Sequence, residues 1–264
     1  MYIDTHLHLD EPWLVDAEKR QKVIDDITAN KIVTFAQSCD LTSHDKILEW
    51  SRLSGYIFPS FGILPWFANE YMDRLDEVAG LCENAIMLGE IGLDVASSRN
   101  NSSQEEQLAL LEVFLKAAEK HDLALNLHFR GGMEPVGLEV LKSHNVKRAI
   151  FHWYSGPLEL MDEINAAGYY YSVGQTNLSQ RPSHIREAIT DMVVRIPDDR
   201  LLLEIDVLPR EMDRVPSVVF RGILEDVAEI RNTSVEEIEA LNQRNVQELL
   251  GDNPRVSEIT DLLR

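Results

Sequence analysis

Met1-Tyr-Ile-Asp-Thr-His-Leu-His-Leu-Asp10 opens the chain. Tyr2, Ile3 and Thr5 favour an extended backbone, and Leu7 and Leu9 carry the apolar run onward. Asp4, His6 and His8 fall at every second position, and a strand turns alternate side chains to one face. The three polar groups are therefore expected on a common face. Neutral imidazoles bind divalent transition metals, and carboxylates suit harder cations. Two histidines one residue apart on a strand offer two nitrogens to one ion at little ordering cost. A terminal strand with a solvated polar face has the same pattern, so the choice rests on what ends the later strands.

Apolar runs recur along the chain with helix-period segments between them. The expected strands cover 2–8, 32–37, 57–62, 85–92, 124–129, 149–153, 169–173 and 201–205. Several are near-continuous in Val, Ile, Leu and Phe, as parallel strands covered on both faces require. Over 105–121, Leu108, Leu111, Phe114, Leu115 and Ala118 form one helical stripe. Ser234, with Glu237 three residues on, reads as a capping box. Ile238, Leu241, Asn245 and Leu249 then share a face, and Gly251 is the stop. The polar stretches 97–103 and 174–183 read as loops. Eight strands alternating with helices predict an α/β fold of the (β/α)8 TIM barrel type, one domain over 1–264, with a doubly wound open sheet as the alternative.

A chain of 264 residues has the usual size for such a barrel. No apolar run reaches the ~18 residues that span a bilayer, so no membrane partner is expected. The N-terminus has no basic region followed by an apolar core, so no secretory signal is expected. Cys39 and Cys82 are the only cysteines, which fits a reducing compartment and a cytoplasmic location. The formal net charge of −20 works against long-range steering of nucleic acid. A bound cation can still dominate the field that a substrate phosphate meets.

In such a barrel the C-terminal ends of the strands converge on one face, where active sites sit. The first strand brings His6 and His8 there. Ile86-Met-Leu-Gly-Glu-Ile-Gly-Leu-Asp94 brings Glu90 between two glycines, Leu125-Asn-Leu-His-Phe-Arg130 brings His128, and Ile150-Phe-His-Trp-Tyr-Ser-Gly156 brings His152. Leu202-Leu-Glu-Ile-Asp206 brings Asp206, with Glu204 two residues before it. A single histidine ending an apolar strand reads more simply as a hydrogen-bonded core residue. Four histidines, a glutamate and an aspartate all at strand ends point instead to a metal site, with ligands enough for two divalent ions of Zn, Mn, Mg or Fe type. His44, His121, His144 and His184 lie outside this pattern and read as surface residues.

These motifs resemble, in order and over nearly the whole chain, the TatD family of metal-dependent hydrolases. The resemblance rests on Asp-Thr-His-Leu-His-Leu-Asp at 4–10, Gly-Glu-Ile-Gly-Leu-Asp at 89–94, His-Phe-Arg at 128–130, His-Trp-Tyr-Ser-Gly at 152–156 and Glu-Ile-Asp at 204–206. Gln107 and Asn245-Val support it. The resemblance implies an amidohydrolase-type barrel with a metal centre that is often binuclear, and several members of the family are DNases. Carried over by position, His6, His8 and Asp206 hold one ion, His128 and His152 hold the other, and Glu90 bridges. Glu204 and Arg130 become contacts of the ligands or the substrate. The chain departs from the family at Gly62-Ile-Leu-Pro65, where Leu64 replaces a histidine, and at Trp153 and Tyr154 within the fourth motif. The proline of the last motif is displaced to Pro209. The departures spare the ligands and bear on the substrate.

The expected reaction is phosphodiester hydrolysis by a metal-activated water, as in TatD-type DNases. Asp206 acts as general base and Glu90 as the bridging carboxylate. Arg130 pairs with a phosphate, or else with one of the many acidic residues. Trp153 and Tyr154 stack on a substrate ring, or else pack in the core. Trp66 and Phe67 line the same pocket, and Cys39 ends the second strand nearby, read as a small buried residue. DNA or another phosphodiester is the expected partner. A small amide or ester is the alternative substrate, favoured by the acidic charge and Leu64, and a non-catalytic metal-binding scaffold is the third possibility.

Overall fold

The computed structural model describes residues 1–9, 17–174, 182–206 and 214–264. Most of the expected loop at 174–183 therefore lies outside the described residues, as does Pro209. Eight parallel strands are present: β1 (Ile3–Leu7), β2 (Val33–Gln37), β3 (Ile57–Ser60), β4 (Met87–Asp94), β5 (Ala124–Arg130), β6 (Ala149–His152), β7 (Tyr170–Val173) and β8 (Leu201–Leu203). They pair in chain order as β1-β2-β3 and β4-β5-β6-β7-β8. Two parallel bridges, Phe61 with Leu88 and Leu7 with Asp206, join these sheets into a closed barrel. The open-sheet alternative is thereby excluded.

Helices alternate with the strands: α1 (Ala17–Asn30), α2 (Leu41–Ser51), α3 (Leu75–Cys82), α4 (Gln104–His121), α5 (Glu134–Ser143), α6 (Met161–Ala166), α7 (Ser183–Arg195), α8 (Pro216–Arg231), α9 (Val235–Leu250) and α10 (Ser257–Leu262). The stripe expected on α4 is observed, with Leu111, Phe114, Leu115 and Ala118 buried. Ser103 caps this helix in a full capping box with Glu106. Ser234 accepts from the Glu237 N–H as expected for α9, but the Glu237 carboxylate accepts from the Thr233 hydroxyl, so the box is not reciprocated. None of the described helices is long and apolar enough to cross a membrane.

The core has two parts. Leu88, Leu125, Phe151, Tyr171 and Leu203 face outward into a large cluster shared with the helices. Ile3, Phe35, Met87, Ile150, Tyr170 and Leu202 form a second cluster, closed off by Val246, Leu249, Leu250 and Ile259 of α9 and α10. The C-terminal helices thus plug one end of the barrel, and the polar strand ends remain at the other. Asn245 of α9 donates to the carbonyls of Asp198 and Leu201, fixing the start of β8.

β1 and β4 each carry a register shift, between Asp4 and Leu7 and between Leu88 and Ile91. Such irregularities re-aim side chains. Ile3 and Met87 join the second cluster, and three residues further on His6 and Glu90 also point inward. A strict two-residue alternation would have put one member of each pair outside. Asp4 consequently does not share the face of His6 and His8 at the strand end. Its carboxylate accepts from the backbone N–H groups of His6 and Ile205 and braces the seam between β1 and β8. The seam is stitched further by Thr5 Oγ1 donating to the Leu203 carbonyl and by Asn242, which donates to Ile3 and accepts from Leu203.

Candidate metal centre

The strand ends bring the six expected residues into one buried cluster. Glu90, only 3% exposed, lies at its middle. Its Oε2 is 2.9 Å from His8 Nε2, and its Oε1 is 2.5 Å from His128 Nδ1 and 2.9 Å from His152 Nε2. His6 Nε2 is 3.0 Å from His8 Nε2 and 3.4 Å from Asp206 Oδ1. His6, His8 and Asp206 form one group whose ligand atoms converge, and Glu90, His128 and His152 form another.

The glycines around Glu90 are required by space. A Cβ on Gly62 would sit 2.3 Å from the Gly89 carbonyl carbon, and one on Gly89 would sit 2.4 Å from Gln37 Oε1. The Glu90 N–H donates to the Ser38 carbonyl, tying β4 to the end of β2. Asp206 (φ 57°) and Trp153 (φ 40°) adopt the left-handed conformation, which side chains rarely take. One is a ligand candidate and the other follows one, whereas Lys31, Asp122, Asn145 and Asn232 take the same conformation just past helix ends. Backbone bonds hold Asp206 in place: its N–H donates to the His6 carbonyl at 2.6 Å, and its carbonyl accepts from the His8 N–H at 3.2 Å.

Each histidine directs one nitrogen into the cluster and the other toward a fixed partner. His6 Nδ1 faces Asn126 Oδ1 at 2.9 Å, and His8 Nδ1 faces the Gln37 carbonyl at 3.1 Å. His128 Nε2 faces Asp94 Oδ2 at 3.0 Å, and His152 Nδ1 lies 3.4 Å from Glu204 Oε1. Outer partners of this kind fix the tautomer and ring direction of metal-binding histidines. The partners are themselves held: Trp66 Nε1 donates to Asp94 at 2.7 Å, and Ser172 donates to Glu204 at 2.5 Å. Gln107 clamps the Asp94 backbone through both of its amide atoms.

The donor set fits divalent cations. Neither ring nitrogen of His152 makes a properly directed hydrogen bond, although a carboxylate oxygen lies near each. His6 and His8 point Nε2 at Nε2, an approach that a pair of neutral imidazoles satisfies with at most one proton. Imidazole nitrogens and carboxylate oxygens that converge in this way, with those of His152 left without a directed partner, are suited to sharing an ion.

The charges within the protein itself are strongly coupled. Burial pushes the Asp206 carboxyl up to about 7, against the pull of His152 and His8. Burial would raise Glu90 too, but His152, His128 and His6 outweigh it and hold its carboxyl well below the usual range. Burial opposes charge on His152, yet Glu204 and Glu90 raise its imidazole to about 10. His8 is raised in the same manner by Cys39 and Glu90. His6 is driven well below its ordinary value, first by burial and then by the neighbouring imidazoles.

The substrate candidates are more dispersed. Arg130 Nη1 donates to the Trp153 carbonyl at 2.8 Å and to Ser155 Oγ at 2.5 Å, and no ion pair to an acid is formed among the described residues. Trp153 is half-buried at the rim, and Tyr154 is buried with its hydroxyl donating to the Pro157 carbonyl. Trp66 stands edge-on to His128, with ring centroids 5.6 Å apart. Leu64 is buried, and its N–H donates to the Cys39 carbonyl. Cys39 is half-buried, its Sγ 3.5 Å from His8 Nδ1. Sequence reading passed over Asp94, Asn126 and Gln37 as partners of the ligands, although Asp94 closes the Gly-Glu-Ile-Gly-Leu-Asp motif. Of the remaining histidines, His184 is exposed as expected. His44 is half-buried against Phe61, His121 accepts from Arg255, and His144 pairs with Glu112, so these three are engaged packing residues.

The family model described as TatD related DNase matches residues 3–251. The metal-dependent hydrolase YjjV of Escherichia coli K12 is 28% identical over 212 residues, covering 78% of each chain. Its crystal structure superposes with a TM-score of 0.77 at 23% identity, over 94% of this chain and 97% of that one. The 3'-5' ssDNA/RNA exonuclease TatD of Dickeya dadantii is 29% identical over 149 residues, 55% of this chain and 54% of that protein. With the ligand cluster in place, the match over nearly its full length makes this chain a metal-dependent hydrolase belonging to the TatD related DNase family.

Proposed function

We propose that the chain hydrolyses phosphodiester bonds with two divalent cations. His6, His8 and Asp206 would hold one and His128 and His152 the other, with Glu90 giving one oxygen to each. The observation that carries this reading is the position of Glu90, whose two oxygens face separate histidine groups at 2.5–2.9 Å. The mixed nitrogen and carboxylate set favours Zn²⁺, Mn²⁺ or Fe²⁺ over Mg²⁺. When bound, such cations polarise the scissile group and lower the pKa of water toward neutrality.

The protein's own groups then have distinct tasks. Asp206, a buried carboxylate 3.4 Å from His6 Nε2, is the group placed to accept the proton of the attacking water. Asn126 and Asp94 keep His6 and His128 turned toward the centre. Arg130, anchored through Nη1, offers its remaining donors to a phosphate oxygen. Trp153 lies half-buried at the rim, and Tyr154 packs inward on Phe151 and Tyr171. Relatives named for single-stranded DNA and RNA make nucleic acid the first substrate class to test.

The test uses metal-loaded protein with end-labelled single-stranded DNA and bis(p-nitrophenyl) phosphate. Turnover that requires the metal and is lost in Asp206→Asn and Glu90→Gln supports the reading, and undiminished turnover in both variants overturns it. The net charge of −20 favours a second reading, a small amide or ester as substrate. Turnover of a deacylase panel with both phosphodiesters left intact would select it.

A further inference from the structure

Beyond Trp153 lies a cavity of about 490 Å³ to which no part of the substrate has yet been assigned. It lies past the ends of β6 and β7, with α7 forming one wall. Trp153, Leu158, Val173, Ile185, Ile189 and Met192 supply most of its apolar wall. Its size falls within the range of small-molecule sites, which bury an apolar body and fix it with a few polar groups.

The cavity is joined to the centre through two intervening side chains. Ser172 lines it and donates at 2.5 Å to Glu204, whose other oxygen lies 3.4 Å from His152 Nδ1. Trp153 follows His152 in sequence, and its carbonyl and Ser155 Oγ are held by Arg130. The cavity thus lies behind the residues that support His152, with Trp153 and Ser155 between it and Arg130.

The polar groups of the wall indicate what that space rejects. Ser155, Ser172, His184 and Asp191 line it, and among the described lining residues there is no lysine or arginine. A strand of nucleic acid carries a charge at every linkage and is held mainly by such cations. This wall offers Asp191 instead, on a chain of net charge −20.

We infer that the cavity is the subsite for an uncharged apolar arm of the substrate, so that the preferred substrate is a small phosphodiester bearing an aromatic or branched-aliphatic group. The inference rests on the phosphodiester reading and narrows it. In the reaction the water oxygen bonds to phosphorus as the bond from phosphorus to the leaving oxygen breaks, giving a phosphomonoester and an alcohol or phenol.

The experiment measures binding of methyl phosphate, 1-naphthyl phosphate and a twelve-residue oligothymidylate to the Mn²⁺-loaded protein by calorimetry. Wild type should bind naphthyl phosphate about 30-fold more tightly than methyl phosphate. Ala188→Trp, which fills the cavity from the exposed side of α7, should bring the two within about threefold. Ile185→Lys, which puts a cation in the apolar wall, should do the same and guards against a misfolded first variant. Equal affinities in wild type, or unchanged naphthyl binding in both variants, overturn the inference, as does oligothymidylate binding more tightly than naphthyl phosphate. Hydrolysis of bis(p-nitrophenyl) phosphate is scored separately. Selective naphthyl binding without turnover would keep the apolar subsite and reject the phosphodiester reading alone.

Discussion

Glu90→Gln is the substitution for which the structure gives the sharpest expectation. The side chain keeps its volume, so the crowded backbone around it is undisturbed. One oxygen becomes an NH2 group, which neither binds a cation nor accepts from an imidazolium. The group formed by Glu90, His128 and His152 loses its only carboxylate, whereas His6, His8 and Asp206 remain complete. Metal content should fall from about two equivalents to about one. A cation acting as Lewis acid contributes several kcal/mol to the transition state. At ~1.4 kcal/mol per decade, kcat/KM for bis(p-nitrophenyl) phosphate should drop by a factor of about 10²–10⁴. Elemental analysis of protein purified without chelator gives the first quantity, and release of p-nitrophenolate gives the second. Two equivalents of metal with full activity would refute the bridging role, and loss of both ions together would refute the division into two groups.

Three further outcomes follow from the surroundings of the ligands. Asn126→Leu removes the acceptor that orients His6, and metal affinity should weaken about 10–100-fold, as read by chelator competition; an unchanged affinity would mean that packing alone sets the ring. Gly62→Ala drives a methyl into the Gly89 backbone and should cost about 3 kcal/mol, or ~6–12 °C in melting temperature; an unshifted melt would show that β3 can move away from β4. Metal uptake should release at least one proton near pH 7.5, because His152, raised to about 10, is charged there and binds metal only when neutral. Apparent affinity should therefore rise with pH toward the His152 value. Calorimetry in two buffers of different ionisation enthalpy measures the release, and identical heats would contradict it.

Much of the barrel is legible in the sequence because parallel strands buried on both faces leave apolar runs, and each run here ends in a residue of distinct chemistry. His128, His152 and Glu204 follow simple alternation from Ala124, Ile150 and Leu202, so their inward direction can be counted. His6 and Glu90 cannot be placed in this way. The irregularities in β1 and β4 change which residues point inward, and nothing in Asp4-Thr-His or Gly89-Glu signals them without the neighbouring strands. Asp4 was misread for that reason. Asp94 and Asn126 carry no motif of their own, because an outer partner needs only to reach a ring nitrogen, and many side chains can. The cavity against α7 is equally invisible, since it depends on how that helix docks over β6 and β7.

The seam between β1 and β8 also has a consequence in time. His6 and His8 belong to the first strand made, and their backbone partner Asp206 follows the last. At a synthesis rate of roughly 5–20 residues per second, about 10–40 s separate their emergence from the ribosome. During that interval the two histidines have neither their carboxylate nor the strand that closes the barrel over them. Glu90, His128 and His152 emerge within that interval, but the full set of ligands forms only with the final closure. Which metal the finished protein holds is then decided after synthesis, by exchange with whatever the cell supplies, and expression in media of different metal content should yield different occupants of the same fold.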